Sequence, residues 1–228
     1  MKLKLIERRT EIEGVESFIF EPEEPLSWKA GQYLHYVLHH EPTDDRGSDR
    51  WFTIASAPFE KNVAITTRLT GESGSSFKKK LASLVIGKSI EISHLEGDFI
   101  VENEQEEYVF MAGGIGITPF YSILKQTDHE EKKLKITLLY ANRDSLIPYK
   151  KELETFAQNN PNLSVHFIIV PVRIDENLIQ EMIPNMQSKL FYISGPEPMV
   201  KNLAETLKAM GVEEARIKLD DFPGYGAY

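Results

Sequence analysis

The sequence predicts two architectures in succession, β followed by α/β: a six-stranded antiparallel β-barrel over residues 1–102 and a doubly wound parallel sheet over residues 103–228. Three observations predict them. The first hundred residues hold six short alternating or apolar runs punctuated by turn formers. After about residue 103 the apolar runs become continuous and alternate with helical patterns. The polar stretch Glu102-Asn103-Glu104-Gln105-Glu106-Glu107 falls between the two rhythms and marks a boundary.

In the first part, strands are expected over residues 2–9, 16–21, 33–39, 51–56, 63–69 and 89–93. Turn residues such as Glu24-Pro25, Pro42-Thr43-Asp44-Asp45-Arg46-Gly47-Ser48 and Gly71-Glu72-Ser73-Gly74 separate them. Strands this short and evenly spaced suit a closed barrel, because closure removes exposed sheet edges. One helix interrupts them. Ser75 or Ser76 caps it, Phe77, Leu81, Leu84 and Val85 line one face, and Gly87 stops it.

In the second part, Tyr108–Ala112, Ile136–Tyr140, Val165–Val170 and Leu190–Ile193 are apolar throughout, as strands buried on both faces require. Helical patterns lie between and after them, from Pro119 to Gln126, Pro148 to Gln158, Asp175 to Met182 and Pro198 to Met210.

Composition narrows the chemistry. The sequence has no cysteine, so these 228 residues hold no disulfide, catalytic thiol, thiolate zinc site or Cys-ligated iron–sulfur cluster. Any redox role must rest on an organic cofactor. The net charge of −9 is shared between the parts, 13 basic against 17 acidic residues up to residue 102 and 13 against 18 beyond it. That balance argues against general nucleic-acid binding. No apolar run approaches the roughly 18 residues of a membrane span, and the charged first residues do not read as a signal peptide. The expectation is a soluble cytoplasmic protein without membrane insertion. The six histidines show no metal-ligand spacing, and His39-His40 point to opposite faces of a strand, so no metal site is expected.

Four segments carry candidate chemistry. In Met111-Ala112-Gly113-Gly114-Ile115-Gly116-Ile117-Thr118-Pro119 an apolar strand runs into three glycines and a Thr-Pro pair that opens a helix. Glycines allow close approach of a pyrophosphate, and a helix N-terminus attracts it. The same pattern also suits a plain strand-to-helix turn, and Pro119 breaks the common dinucleotide fingerprint. Ser194-Gly195-Pro196-Glu197-Pro198-Met199 again sets small residues and prolines at the carboxyl end of a buried strand, where ligands of doubly wound sheets bind. Arg50-Trp51-Phe52-Thr53 offers a cation for phosphate, an aromatic for stacking on a planar ring and a hydroxyl, with Arg50 and Phe52 on one face and Thr53 opposite. Gly74-Ser75-Ser76 is a second glycine–serine helix start, either an anion site or simple capping.

In order, Gly31-Gln32-Tyr33, Arg50-x-Phe52-Thr53-x-x-Ser56-x-Pro58, Gly74-Ser75-Ser76, Gly97-Asp98-Phe99, the Gly113–Pro119 segment and Ser194-Gly195-Pro196-x-x-Met199 resemble the ferredoxin–NADP reductase superfamily across nearly the whole chain. The resemblance implies an FAD-binding barrel and an NAD(P)-binding sheet. Arg50 would meet the flavin pyrophosphate, with Trp51 and Arg68 as further flavin contacts. Phe52, where the family usually has tyrosine, would lie against the isoalloxazine, and Thr53 would stand near flavin N5. Gly74, Ser75 and Ser76 would hold the pyrophosphate. Gly113, Gly114, Gly116 and Thr118 would cradle the pyridine nucleotide, together with Asn142, Arg143, Gly195, Pro196 and Met199. Ser194 replaces a cysteine that many relatives place beside the nicotinamide. The tail Asp220–Tyr228 resembles the family's acid-plus-aromatic terminus, with Asp220 and Phe222 as catalytic candidates, Phe222 as a lid on the flavin, and Tyr225 and Tyr228 behind it.

NADH and NADPH stay undecided, because Arg143 suits a 2′-phosphate and Asp144 a free 2′-hydroxyl. The implied activity is hydride transfer between NAD(P)H and FAD, with electrons passed to a separate acceptor such as ferredoxin or flavodoxin. Lys78-Lys79-Lys80 is a candidate dock for an acidic carrier, or simply a solvated face. Alternatives are a free flavin or quinone reductase and an electron-transfer subunit of a larger complex.

Overall fold

The computed structural model describes residues 1–222, in two compact units, Met1–Ile100 and Val101–Tyr228.

The first unit is a six-stranded antiparallel sheet of β1 (Lys2–Ile12), β2 (Val15–Pro22), β3 (Tyr33–Val37), β4 (Asp49–Thr53), β5 (Val63–Arg68) and β6 (Ser89–Glu96), in the order β4-β3-β6-β1-β2-β5. Alternation dictates the curl. Leu3, Leu5, Phe18, Phe20, Leu34, Tyr36, Ile65 and Ile90 all join one core, while Ser17 and Thr66, on the other face, are buried against each other through a 2.6 Å hydroxyl–hydroxyl hydrogen bond. Among the described residues no ladder joins β4 to β5. The seam is stitched just past β4, where the Ala55 amide donates to the Ala64 carbonyl at 2.9 Å and the Ala64 amide to Ser56 Oγ at 2.9 Å.

Helix α1 (Ser76–Ala82) seats Phe77 and Leu81 in that core. Ser75 is its N-cap and accepts from the Lys78 amide. The helix stops five residues before Gly87, earlier than its apolar pattern predicts. Ser83 Oγ donates back to the Lys80 carbonyl, and the Gly87 amide is drawn to the Leu5 carbonyl of β1 at 2.8 Å. Leu84 still reaches the core, but Val85, expected on the buried face, is 60% exposed.

The second unit is a parallel sheet of β7 (Glu107–Gly113), β8 (Lys135–Asn142), β9 (Leu163–Ile169), β10 (Leu190–Pro196) and β11 (Ile217–Phe222), ordered β11-β10-β7-β8-β9. Helices α2 (Thr118–His129) and α3 (Lys150–Asn159) touch each other, and α2 packs on the sheet through a Phe110–Phe120 stack with centroids 4.7 Å apart. Helices α4 (Glu176–Met182) and α5 (Glu197–Ala209) share a core with Val109, Met111, Leu139, Phe191 and Ile193. Neighbours on β7 alternate between these two sets, so the sheet is covered on both faces. After β9 the chain returns to the far side of β7, so the order reverses between β7 and β10. Strand β11 has no counterpart among the strands that the sequence pattern predicts. Ile217-Lys218-Leu219-Asp220-Asp221-Phe222 pairs only with β10 and leaves Leu219 exposed, so it lacks the continuous apolar run of the inner strands.

The buried and exposed ends of the α1 pattern give a direct stability test. Phe77→Ala is expected to cost about 3–5 kcal/mol, and Val85→Ala to stay within about 0.5 kcal/mol, in chemical denaturation. A loss of several kcal/mol at Val85 would contradict its placement outside the core.

Candidate functional site

Two strand ends meet at the sheet's reversal. Gly113 ends β7, and the turn Gly114–Ile117 leads into α2. Ser194, Gly195 and Pro196 end β10. A Cβ built on Gly116 would fall 2.3 Å from the Ser194 carbonyl oxygen and 2.7 Å from Gly195 Cα. One on Gly113 would fall 2.4 Å from Met199 Sδ and 3.1 Å from Pro196 Cδ. Gly116 is required because backbone atoms occupy the space a side chain would need, whereas at Gly113 the nearest obstruction is the flexible end of Met199. Gly114 differs. Its φ is +53°, and a Cβ there would meet nothing within 4 Å. Its carbonyl accepts from the Tyr140 phenol at 3.0 Å. Thr118 is buried, and its hydroxyl donates to the Ile115 carbonyl at 3.2 Å, bracing the turn from within. The glycine segment is therefore both things the sequence left open: a packed turn at Gly113 and Gly116, and an open backbone surface at Gly114.

Beside this turn, buried Ser194 donates through Oγ to Asp220 Oδ2 at 2.9 Å, across the β10–β11 register that pairs them. Burial pushes the Asp220 carboxyl up to about 6; the Ser194 hydroxyl opposes the shift and the neighbouring Asp221 charge adds to it. A carboxyl at that value, held by a hydroxyl at a strand end, can exchange a proton near neutral pH.

Asn142 ends β8 and donates to its own strand's Tyr140 carbonyl at 3.4 Å. Arg143 is exposed, whereas Asp144 Oδ1 accepts from the Leu146 amide at 2.8 Å, closing a local turn. In the tail, the Phe222 side chain and residues Tyr225 and Tyr228 lie outside the described residues.

In the barrel unit, β4 divides its candidates by face. Phe52 packs between Tyr36 and Phe77, with centroids 5.9 and 5.7 Å away, and the Arg50 guanidinium lies 5.6 Å over the Phe77 ring. Trp51 sits on the opposite face, 44% exposed, against His35 at 4.7 Å and Tyr33 at 5.3 Å. It is thus separated from Arg50 and Phe52 by the strand itself. Thr53 is buried. The Arg68 guanidinium lies near Gly14 in the β1–β2 turn, and Gly74 packs on Gly71 and Thr70. Lys78 Nζ donates to the Arg68 carbonyl at 3.1 Å, which leaves Lys79 and Lys80 as the exposed members of the triple lysine.

Arg50 and the Ser76 amide converge on one anion, the Asp44 carboxylate. Oδ2 accepts from the Ser76 amide at 2.8 Å, and Oδ1 pairs with Arg50 Nη2 at 3.3 Å. The Ser76 amide holds Asp44 down to about 2 against some desolvation, helped by the Arg46 amide and by the charges of Arg46 and Arg50. The carboxylate stands in for a phosphate, so the groups assigned to the flavin pyrophosphate do fit an anion. Sequence reading passed over Asp44 as a turn former and Tyr140 as strand filler. Their signals, an acid in a Pro-Thr-Asp-Asp turn and a tyrosine ending an apolar strand, are too common to single out.

By architecture the chain has the two-unit fold of ferredoxin reductase-type proteins, an antiparallel barrel unit and a parallel nucleotide-type sheet. The flavohem-like FAD/NAD binding domain of nitric oxide dioxygenase from Vibrio cholerae superposes with a TM-score of 0.83, covering 97% of this chain and 98% of that one at 20% identity. Residues 110–205, within the second unit, match the family described as the oxidoreductase NAD-binding domain. A flavohemoprotein of Rhodopirellula baltica is 29% identical over 93% of this chain and 58% of its own length. One subunit of the Na(+)-translocating NADH-quinone reductase of Neisseria gonorrhoeae is 29% identical over 77% of this chain and 49% of its own length. The chain thus spans about half the length of these relatives.

Two measurements test the site. In thermal unfolding, Gly116→Ala is expected to be strongly destabilising, because backbone must move, while Gly114→Ala costs only about 1–2 kcal/mol of backbone strain. Asp220→Asn tests the carboxyl. Between the ordinary carboxylate value and about 6 the folded chain holds a proton that the unfolded chain has released. The carboxyl's contribution to stability is therefore full below about pH 4 and is lost as pH rises through about 6. The variant is expected to be more stable than the parent above that range, by on the order of 1 kcal/mol after discounting for partial exposure, and equal to it at about pH 4. A pH-independent difference would contradict the raised value.

Proposed function

We propose that the chain is an NAD(P)H-dependent flavoprotein reductase that oxidises NADH or NADPH with FAD as first acceptor and delivers electrons to an acceptor outside this chain. The observation that carries the reading is Gly114. It is left-handed, open above, and anchored by Tyr140 at the reversal of a parallel sheet, in a segment matched by the NAD-binding family. Arg50 and the Ser76 amide support the flavin half, since they already hold a carboxylate in common.

The chain's own groups divide the work as follows. Gly113 and Gly116 fix the turn against β10, so the open backbone at Gly114 is preorganised for a pyrophosphate. Ser194, enclosed and hydrogen-bonded, acts as a positioning residue that orients Asp220. Asp220 holds or releases a proton near neutral pH. Phe52 would offer its ring to the planar flavin, Thr53 its hydroxyl near N5, and Arg50 and the Ser76 amide would hold the pyrophosphate. Bound flavin supplies the two-electron acceptance and one-electron release that no side chain here provides.

The acceptor is a separate redox carrier. Ferredoxin or flavodoxin is one reading, for which exposed Lys79 and Lys80 offer positive charge. A second reading, favoured by the partial coverage of longer relatives named for haem and quinone, is an electron-transfer module feeding a haem- or quinone-bearing partner. Among the described residues no helix is long and apolar enough to cross a membrane.

The test is anaerobic titration of FAD-loaded protein with NADH and with NADPH, followed by steady-state rates with ferredoxin, a haem protein and quinones. Bleaching of the flavin by one nucleotide is expected. Protein that retains no colour after incubation with excess FAD would overturn the reading. Arg50→Ala is expected to weaken FAD binding roughly tenfold or more, the scale of a charge-assisted hydrogen bond.

A further inference from the structure

We infer that Asp44 is a built-in competitor for the flavin phosphates, and that residues 41–48 form a clasp which must release Arg50 and the Ser76 amide before a pyrophosphate can take them. The inference rests on the flavin reading above and concerns the regulation of that same site.

The Ser76 amide is already engaged within the chain. A backbone amide has a single hydrogen to donate, and Ser76 gives its own to Asp44 Oδ2 at 2.8 Å. The contact is reciprocal, because the Asp44 amide donates to Ser76 Oγ at 3.0 Å. Arg50, whose guanidinium lies over the Phe77 ring, is also engaged mainly by the same loop. Besides Asp44 Oδ1 at 3.3 Å, its Nη1 donates to the carbonyls of Arg46 at 2.7 Å, Gly47 at 3.4 Å and Asp49. Arg46 closes the cluster, with its amide 3.1 Å from Oδ1 and its guanidinium 3.4 Å from Oδ2. The Ser76 amide hydrogen and part of the Arg50 guanidinium are therefore already matched to an anion within the chain. A bound phosphate and the Asp44 carboxylate cannot share the Ser76 hydrogen, and side by side they would repel.

The loop is suited to letting go. It connects β3 to β4, and its remaining ties are the Leu38 amide to the Ser48 carbonyl at 2.8 Å and the Gly47 amide to the Asp44 carbonyl at 3.0 Å. The second is internal to the loop and survives its displacement. None of the loop's residues is buried. Opening thus exposes little apolar surface and exchanges one set of charge-assisted bonds for another, so the balance is set by the incoming anion.

The experiment compares the parent protein with Asp44→Asn, which keeps an acceptor oxygen but no charge, and Asp44→Ala, which keeps neither. Circular dichroism and melting establish that each is folded. Dissociation constants are then measured for FAD, for ADP as a probe carrying only the pyrophosphate end, and for riboflavin, which has no phosphate. Both variants are expected to bind FAD and ADP about tenfold tighter, one charged contact on the usual scale, with riboflavin unchanged. Folded variants that bind FAD and ADP no better than the parent would overturn the clasp and leave the flavin reading standing. Failure of the parent and both variants to bind FAD would overturn the flavin reading, and the clasp with it.

Discussion

The second unit depends on two strand ends meeting backbone to backbone. Gly116 lies so close to Ser194 and Gly195 that a single methyl group would collide with the main chain, and Gly113 is closed off by Met199 and Pro196. A parallel sheet whose order reverses must leave a crevice at this point. Here β7 and β10 come together so tightly that, among the turn's three glycines, only Gly114 has open space where a Cβ would stand. The turn's shape is thus imposed from below by packing and from the side by Tyr140. Under the proposed function, a phosphate bound at this turn would cost little ordering entropy, because the ordering was completed on folding. The same glycines that read as a ligand motif are, residue by residue, mostly packing glycines, and the packing is what makes the remaining one useful.

Two carboxylates show how location sets charge. Asp44 is half-exposed and ringed by donors, so its charge is fixed far below neutrality. Asp220 has one hydroxyl donor and a like charge beside it, so burial dominates and its proton is available near pH 6. The first can act only as an anion, and an anion resting on phosphate-type donors competes with phosphate. The second can change charge during a reaction. Neither role follows from the residue type, which is the same in both.

That contrast marks the limit of what the chain reveals before folding. The six barrel strands and the four inner sheet strands were legible because burial on one face or both leaves a period in the sequence. Helix boundaries were legible where Asp175 or a proline fixes them. The end of α1 was not, because the Leu84–Ile86 pattern continues a helix that the β1 ladder, through Leu5 and Gly87, pulls apart. Strand β11 was not, because an edge strand with one neighbour carries no apolar run. The segments at Gly113 and Ser194 do end neighbouring strands side by side, as their pattern implied, and β4 does divide its side chains between two faces. The Ser194–Asp220 bond depends on parallel register, and the Asp44 contacts span 32 residues; neither leaves a local trace.

The absence of cysteine shapes what lies downstream. With no thiolate in these 228 residues to hold a Cys-ligated cluster, the proposed function requires an organic cofactor to receive the electrons of a nicotinamide. Among the described residues no group of three or more histidine or acidic side chains is arranged to hold a metal ion. The stretch matched in the longer relatives makes up roughly half of their length. In the proposed reading the turn at the sheet reversal and the Arg50–Ser76 donors would each hold a nucleotide's phosphates, so both units would rely on backbone N–H groups at the end of a strand or helix.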